Sequence, residues 1–291
     1  MLKLFHSVLF CSAIVGASVQ AEQKIQVQTY KLGADAIFSV VSNLLVADNE
    51  VMLIDAQFSP KDGEKLVERI QATGKPLKTI FISHGDPDFY FGLAPIVKAF
   101  PQAKVLATAP TVEHITKTKD EKLKFWGPKL GDDAPDSLVT PEVLRGGTLA
   151  FAGQKIEIVG LESKTPNRNV LWIPSIQTIL GGILLDSGEH VWLADTAAKE
   201  QREVWGEQLS YLEGLDVKTV IPGHYQGKLP TEAKEVIRFT KGYLQVAEKE
   251  LAQAKNAQDF VQAMKAHFPD LPGDDALELG EKVLTGEMQW D

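Results

Sequence analysis

Residues 79–93, TIFISHGDPDFYFGL, hold the densest group of potential metal ligands in the chain. His84, Asp86 and Asp88 fall at every second position, so in an extended or tightly looped backbone their side chains can gather on one side. Imidazole and carboxylate are good ligands for hard and borderline divalent ions. Gly85 and Pro87 lie between them, which argues against continuous helix and for a shaped loop at a strand end. A remote partner closes a second apolar run, because VKTVIPGH ends in His224 as TIFISH ends in His84. His84, Asp86, Asp88 and His224 together offer two nitrogens and at least two oxygens, which is enough for one metal ion. Phe89, Tyr90 and Phe91 read as packing and pocket lining, as do Trp172 and Trp192.

These residues need a scaffold that brings two strand ends together. Residues 24–57 are short and β-rich, and read as a three- or four-strand meander. Ser59-Pro60 then starts an amphipathic helix that presents Leu66, Val67 and Ile70 and ends near Gly74. LKTIFIS is a continuous apolar run of the central-strand type, followed by a helix over residues 92–100 and a strand in AKVLAT. Residues 111–141 are polar and punctuated, and predict two helices followed by a substrate-facing flap or insertion. A second β-rich block comprises EVL, TLAF, KIEIVGL, NVLWIP, QTILGGILL and HVWLA. Asp195 reads as the cap of a helix from residue 196 to about residue 213. Helices over residues 231–254 and 257–268 precede a polar tail. Strands alternating with helices predict an α/β layering.

The 291 residues allow a large core, and 44% apolar with 24% charged residues is an ordinary globular composition. A net charge of −9 without a Lys/Arg cluster opposes nucleic acid and anionic membranes as partners and leaves a small-molecule substrate. Residues 1–21 combine Lys3, an apolar run and the cleavage pattern Val19-Gln20-Ala21, which predicts a signal peptide and an exported chain, periplasmic or secreted. The single cysteine, Cys11, falls inside this signal. A mature chain without cysteine has no disulfide and holds any metal through nitrogen and oxygen, with zinc first and manganese or iron also compatible. Nothing in the residue pattern sets an oligomeric state.

The ordered set LIDAQ, SHGDPDFYFGL, KTPNRNVLWIPSIQTILGG, WLADT and VIPGH resembles the metallo-β-lactamase superfamily. The resemblance implies a four-layered αβ/βα sandwich over residues 22–291, with a C-terminal helical extension, and hydrolysis by metal-activated water. It also marks departures from the family. The usual His-x-His-x-Asp-His has become His84-Gly85-Asp86-Pro87-Asp88-Phe89, Lys164 stands where a histidine precedes Thr-Pro, and Ile183 stands where a bridging Asp or Cys follows Gly-Gly.

The ligand set left by these departures implies a mononuclear site. Asp88 would orient the water or take its proton, and Lys164 would neutralise a developing oxyanion. Glu162 and His190 are further candidates to restore a ligand, and Asp55 to accept the free N–H of a ligating histidine. The implied substrate is an ester-, lactone- or amide-like small molecule; β-lactam antibiotics fit poorly, because the members that hydrolyse them carry fuller ligand sets. The alternative is a non-catalytic binding protein in which Lys164 pairs with Asp86 or Asp88 and replaces a metal.

Overall fold

A computed structural model describes residues 24–33, 36–161, 165 and 167–289. Residues 1–21, where a signal peptide is expected, and Glu162 and Lys164 lie outside the described residues. The chain begins with strands β1 (Gln26–Lys31), β2 (Val41–Val46) and β3 (Val51–Ile54), then helix α1 (Pro60–Ala72), whose cap Ser59 accepts from the Asp62 N–H. Strand β4 (Leu77–Ile82) leads to a single helical turn, α2 (Pro87–Tyr90), then α3 (Leu93–Ala99), β5 (Lys104–Ala107), α4 (Ala109–Leu130) and β6 (Glu142–Val143). These strands form one sheet in the order β1-β2-β3-β4-β5-β6, antiparallel through β3 and parallel beyond it.

The second sheet has the order β11-β10-β9-β8-β7, from β7 (Thr148–Phe151), β8 (Gln154–Val159), β9 (Val170–Ile173), β10 (Thr178–Ser187) and β11 (Thr219–Tyr225). Helix α5 (Lys199–Gly214) comes before β11, and α6 (Ala233–Leu251), α7 (Ala257–His267) and α8 (Asp274–Leu284) come after it.

Strand alternation explains the four layers. On β3, Val51 and Leu53 pack toward α1 and α3, while Met52 and Ile54 face the other sheet. On β9, Leu171 and Ile173 face the first sheet, while Val170 and Trp172 join the core beneath α5 to α8. Strands buried on both faces read as unbroken apolar runs, as LKTIFIS and NVLWI do. Two helical layers thus enclose two sheets, as the α/β sandwich predicts. The sheets also meet at one edge, where Val40 forms a backbone bridge with His224.

Three elements differ from expectation. Residues 109–130 form one continuous helix rather than two, because Pro128 falls in its last turn, where few intrahelical bonds are lost. HVWLA forms no strand; Val191 and Leu193 are buried against the C-terminal helices instead of being paired in a sheet. The expected polar tail contains α8, which buries Leu277 and Val283.

Candidate metal centre

The apolar strand β4 ends at Ile82, and a set of buried hydrogen bonds to Ser83 fixes the loop that follows. Asp55 accepts from the Ser83 N–H and the Ser83 hydroxyl, both at 2.7 Å. Asn169 donates to the Ser83 carbonyl at 3.1 Å, and the Gly182 N–H donates to Ser83 Oγ at 2.9 Å. Asp55 therefore braces the ligand loop through Ser83; the expectation that it supports a histidine is not what the structure shows. Burial pushes the Asp55 carboxyl up to about 7, against the pull of its two Ser83 bonds. Gly182 allows the second sheet to close on this loop. Its φ is +64°, and a Cβ there would lie 1.7 Å from the Asn169 carbonyl oxygen.

Beyond Ser83 the backbone bends through Gly85 to Asp86, which is itself extended (ψ 150°), and turns at Pro87 into α2. The four sequence candidates fall into two groups. His84 and Asp86 stay together, with Nδ1 and Oδ2 3.5 Å apart, and Nδ1 accepts the Asp86 backbone N–H at 3.2 Å. Asp88, carried round by the helical turn, accepts instead from His224 Nε2–H at 2.7 Å. The buried ring of Phe89 stands edge-on to both imidazoles, with centroids 5.3 Å from His84 and 5.2 Å from His224. One apolar ring thus packs against both groups.

Asp195 completes the first group. Ligand atoms of His84, Asp86 and Asp195 all lie within 4.8 Å of one another. The residue expected to cap a helix sits in a 3-10 turn, Ala194–Thr196, and α5 starts later, at Lys199. Ile183 is partly buried against the first core, and only its carbonyl takes part here, accepting from Arg168 Nη1 at 2.8 Å. The carboxylate that joins the cluster therefore comes from WLADT and not from the segment after Gly-Gly. His190 is turned elsewhere, with Nδ1 2.9 Å from the Tyr243 hydroxyl on α6.

Cations that the residue pattern did not single out face this cluster. Lys122 on α4 contacts Asp86 Oδ1, and its Nζ is 2.9 Å from His114 Nε2. Arg168 is buried with its guanidinium 3.7 Å over the Trp205 ring, and its Nη2 lies 3.7 Å from Asp195 Oδ2. His114 packs against the loop where Gly85 leaves no room for a side chain, since a Cβ there would lie 2.6 Å from His114 Cδ2.

These surroundings set the charges. Burial pushes the His84 imidazole down to about 4, against the pull of Asp86, so it is neutral near pH 7. Burial is the largest influence and works to raise Asp86, but Lys122, His84 and His114 together outweigh it and hold the carboxyl well below the usual range. Asp195 is raised, first by burial and then by the negative charge of Asp86. Burial would lower His224, but the Asp88 hydrogen bond and charge carry it up to about 9, so it is protonated near neutrality.

A neutral imidazole beside two mutually repelling carboxylates fits a divalent ion bound through nitrogen and oxygen. His84, Asp86 and Asp195 would hold it, and Asp88 with His224 would form a separate proton-bearing pair.

Comparison with known proteins agrees with this architecture. The metallo-beta-lactamase superfamily model matches residues 36–224. The uncharacterized protein YobT of Bacillus subtilis (strain 168) is 35% identical over 71 residues, which is 24% of this chain and 30% of that protein's length. The chain thus aligns with less than a third of that relative. Metallo-beta-lactamase family protein TTHA1429 from Thermus thermophilus superposes with a TM-score of 0.63 at 17% identity, over 90% of this chain and 93% of that one. DIM-1 metallo-beta-lactamase gives 0.55 at 18% identity, over 78% and 98%. At such identities the likeness is one of fold. With the family model spanning both strand-end histidines, the chain belongs to the metallo-beta-lactamase superfamily.

Proposed function

We propose that this chain is an exported, metal-dependent hydrolase that uses one divalent ion, zinc first with manganese or iron as substitutes, on an ester-, lactone- or amide-like small molecule. The observation that carries the reading is the convergence of His84, Asp86 and Asp195, with His84 neutral at physiological pH. Phe89 supports a single ion, because it packs an apolar ring edge-on against both His84 and His224. Export rests on the signal pattern of residues 1–21.

The ion, when bound, supplies Lewis acidity and lowers the pKa of a coordinated water toward neutrality. The chain's own residues supply ligands and proton handling. His84, Asp86 and Asp195 would hold the ion. His224 holds its Nε2–H on Asp88 Oδ2, so the protonated imidazole has its Nδ1 proton to release to a leaving group while Asp88 keeps the ring aligned. Lys164, outside the described residues, keeps its proposed part in stabilising an oxyanion.

The test is hydrolysis of a panel of chromogenic esters, lactones and amides by the mature protein, with and without chelator. The reading expects activity that chelation abolishes, that added zinc or manganese restores, and that His84→Ala or Asp195→Asn lowers at least about tenfold. Chelator-resistant activity, equal in both variants, would refute it.

A second reading, a metal-free binding protein, draws on one specific observation. Asp86, Asp88 and Asp195 each have a protein cation beside them, in Lys122, His224 and Arg168. The residues compensating charge in this reading are described ones, alongside the Lys164 expected from the sequence.

A further inference from the structure

Helix α4 sends two side chains, His114 and Lys122, to the same oxygen of Asp86. The Lys122 ammonium contacts Asp86 Oδ1 and lies 2.9 Å from His114 Nε2, which is itself 3.9 Å from Oδ1. Only 14% of the Lys122 side chain is exposed, so the charge is largely withdrawn from water. An ammonium has no acceptor capacity, so toward an imidazole nitrogen and a carboxylate oxygen it acts as a cation does. The imidazole is fixed in place because its ring lies against the bare backbone of Gly85. The other Asp86 oxygen faces His84, 3.5 Å from Nδ1. Asp86 therefore bridges two positions, one occupied by Lys122 and one facing the His84–Asp195 side.

Resting on the one-ion reading above, we infer that Lys122 is a tethered cation that competes with a divalent ion for Asp86, and that His114 is a ligand made available when Lys122 withdraws. A doubly charged ion on Asp86 would sit across one carboxylate from a singly charged ammonium in a poorly hydrated setting, where their repulsion is weakly screened. Uptake of the ion must drive Lys122 off Oδ1 or be weakened by it. Withdrawal of Lys122 leaves His114 Nε2 and Asp86 Oδ1 as a nitrogen and an oxygen donor facing the same space. A ligand beyond His84, Asp86 and Asp195 is thus controlled by α4 and not by the strand-end loop.

The experiment is calorimetric titration of Zn2+ and Mn2+ into the chelator-treated mature protein, comparing the wild type with Lys122→Met, Lys122→Arg and the double variant Lys122→Met/His114→Ala. Lys122→Met is expected to bind at least about tenfold tighter than wild type, and Lys122→Arg within about threefold of it. The double variant is expected to lose most of the gain. Equal or weaker binding by Lys122→Met, with metal bound by the wild type, overturns the inference and leaves the hydrolase reading standing. Binding by Lys122→Met alone supports the inference and overturns the hydrolase reading; binding by neither overturns both. If Lys122→Met does not fold, acetylation of wild-type lysines followed by mass spectrometry gives the same answer. Lys122 should become more reactive when Zn2+ is added, and unchanged or reduced reactivity overturns the inference.

Discussion

Asp86, Asp88 and Asp195 each face a different cation of the protein, and only the Asp88–His224 pair joins two residues that the sequence marks as ligands. His224 and His84 were legible because each closes an apolar strand, where side chains reach a sheet edge. Asp195, Lys122 and Arg168 were not, because each reaches the cluster through packing of distant segments. Neither helical periodicity nor a capping signal records which pocket such a residue enters.

The Asp88–His224 pair also makes a pH prediction. The His224 pKa is raised from the ordinary 6.5 to about 9, so the folded state binds the proton more tightly than the unfolded chain. Its contribution is full below about pH 6.5 and is lost as pH rises through about 9. Urea melts of chelator-treated protein should therefore show stability falling over that window by on the order of 1–3 kcal/mol. His224→Gln should flatten the fall; an unchanged slope in that variant would remove the pair as its cause. Arg168 gives a second residue-level prediction. Arg168→Met leaves Asp195 beside Asp86 without the guanidinium and strips donors from the Ile183 and Trp192 carbonyls. The expected cost is about 3 kcal/mol by the same melts, and a loss below about 0.5 kcal/mol would show that the pair is energetically idle.

At the scale of elements, the ligand loop is held by contacts that forbid side chains. Gly182→Ala would combine a φ of +64° with a Cβ 1.7 Å from the Asn169 carbonyl, so the strand ends must separate. A destabilisation of about 3 kcal/mol or more is expected, together with loss of metal binding. A variant melting with the wild type would contradict the account of how β10 closes on Ser83. Most strands and α1 were legible because both-face burial and a Ser-Pro cap leave local signals. The length of α4 was hidden by Gly127-Pro128, whose breaking effect is small in a final turn. HVWLA has strand composition, yet its apolar residues are buried by helices that come much later in the chain. Tertiary packing overrode local propensity there.

At the scale of the whole molecule, the three apolar cores fill the three gaps between four layers, and the gap outside the second sheet is closed by α5 together with α6 to α8, which lie beyond the residues the family model spans. Phe260, Met264 and Leu277 of α7 and α8 join Trp205 and Tyr243 in that core. Truncation after residue 256 should expose this surface and yield protein that aggregates or binds an apolar dye, whereas a soluble, cooperatively melting fragment would show these helices to be dispensable. The order of the layers followed from strand and helix alternation, but the placement of the strand-end residues against α4 depended on the assembled molecule.

The central claim is that His84, Asp86 and Asp195 hold one divalent ion in this fold. Elemental analysis after equilibration with zinc, manganese or iron and removal of free metal tests it most directly. The account predicts about one equivalent bound to the wild type, reduced to about a tenth or less by Asp195→Asn. Two equivalents, less than about a tenth of an equivalent in the wild type, or full loading of the Asp195→Asn variant would contradict it.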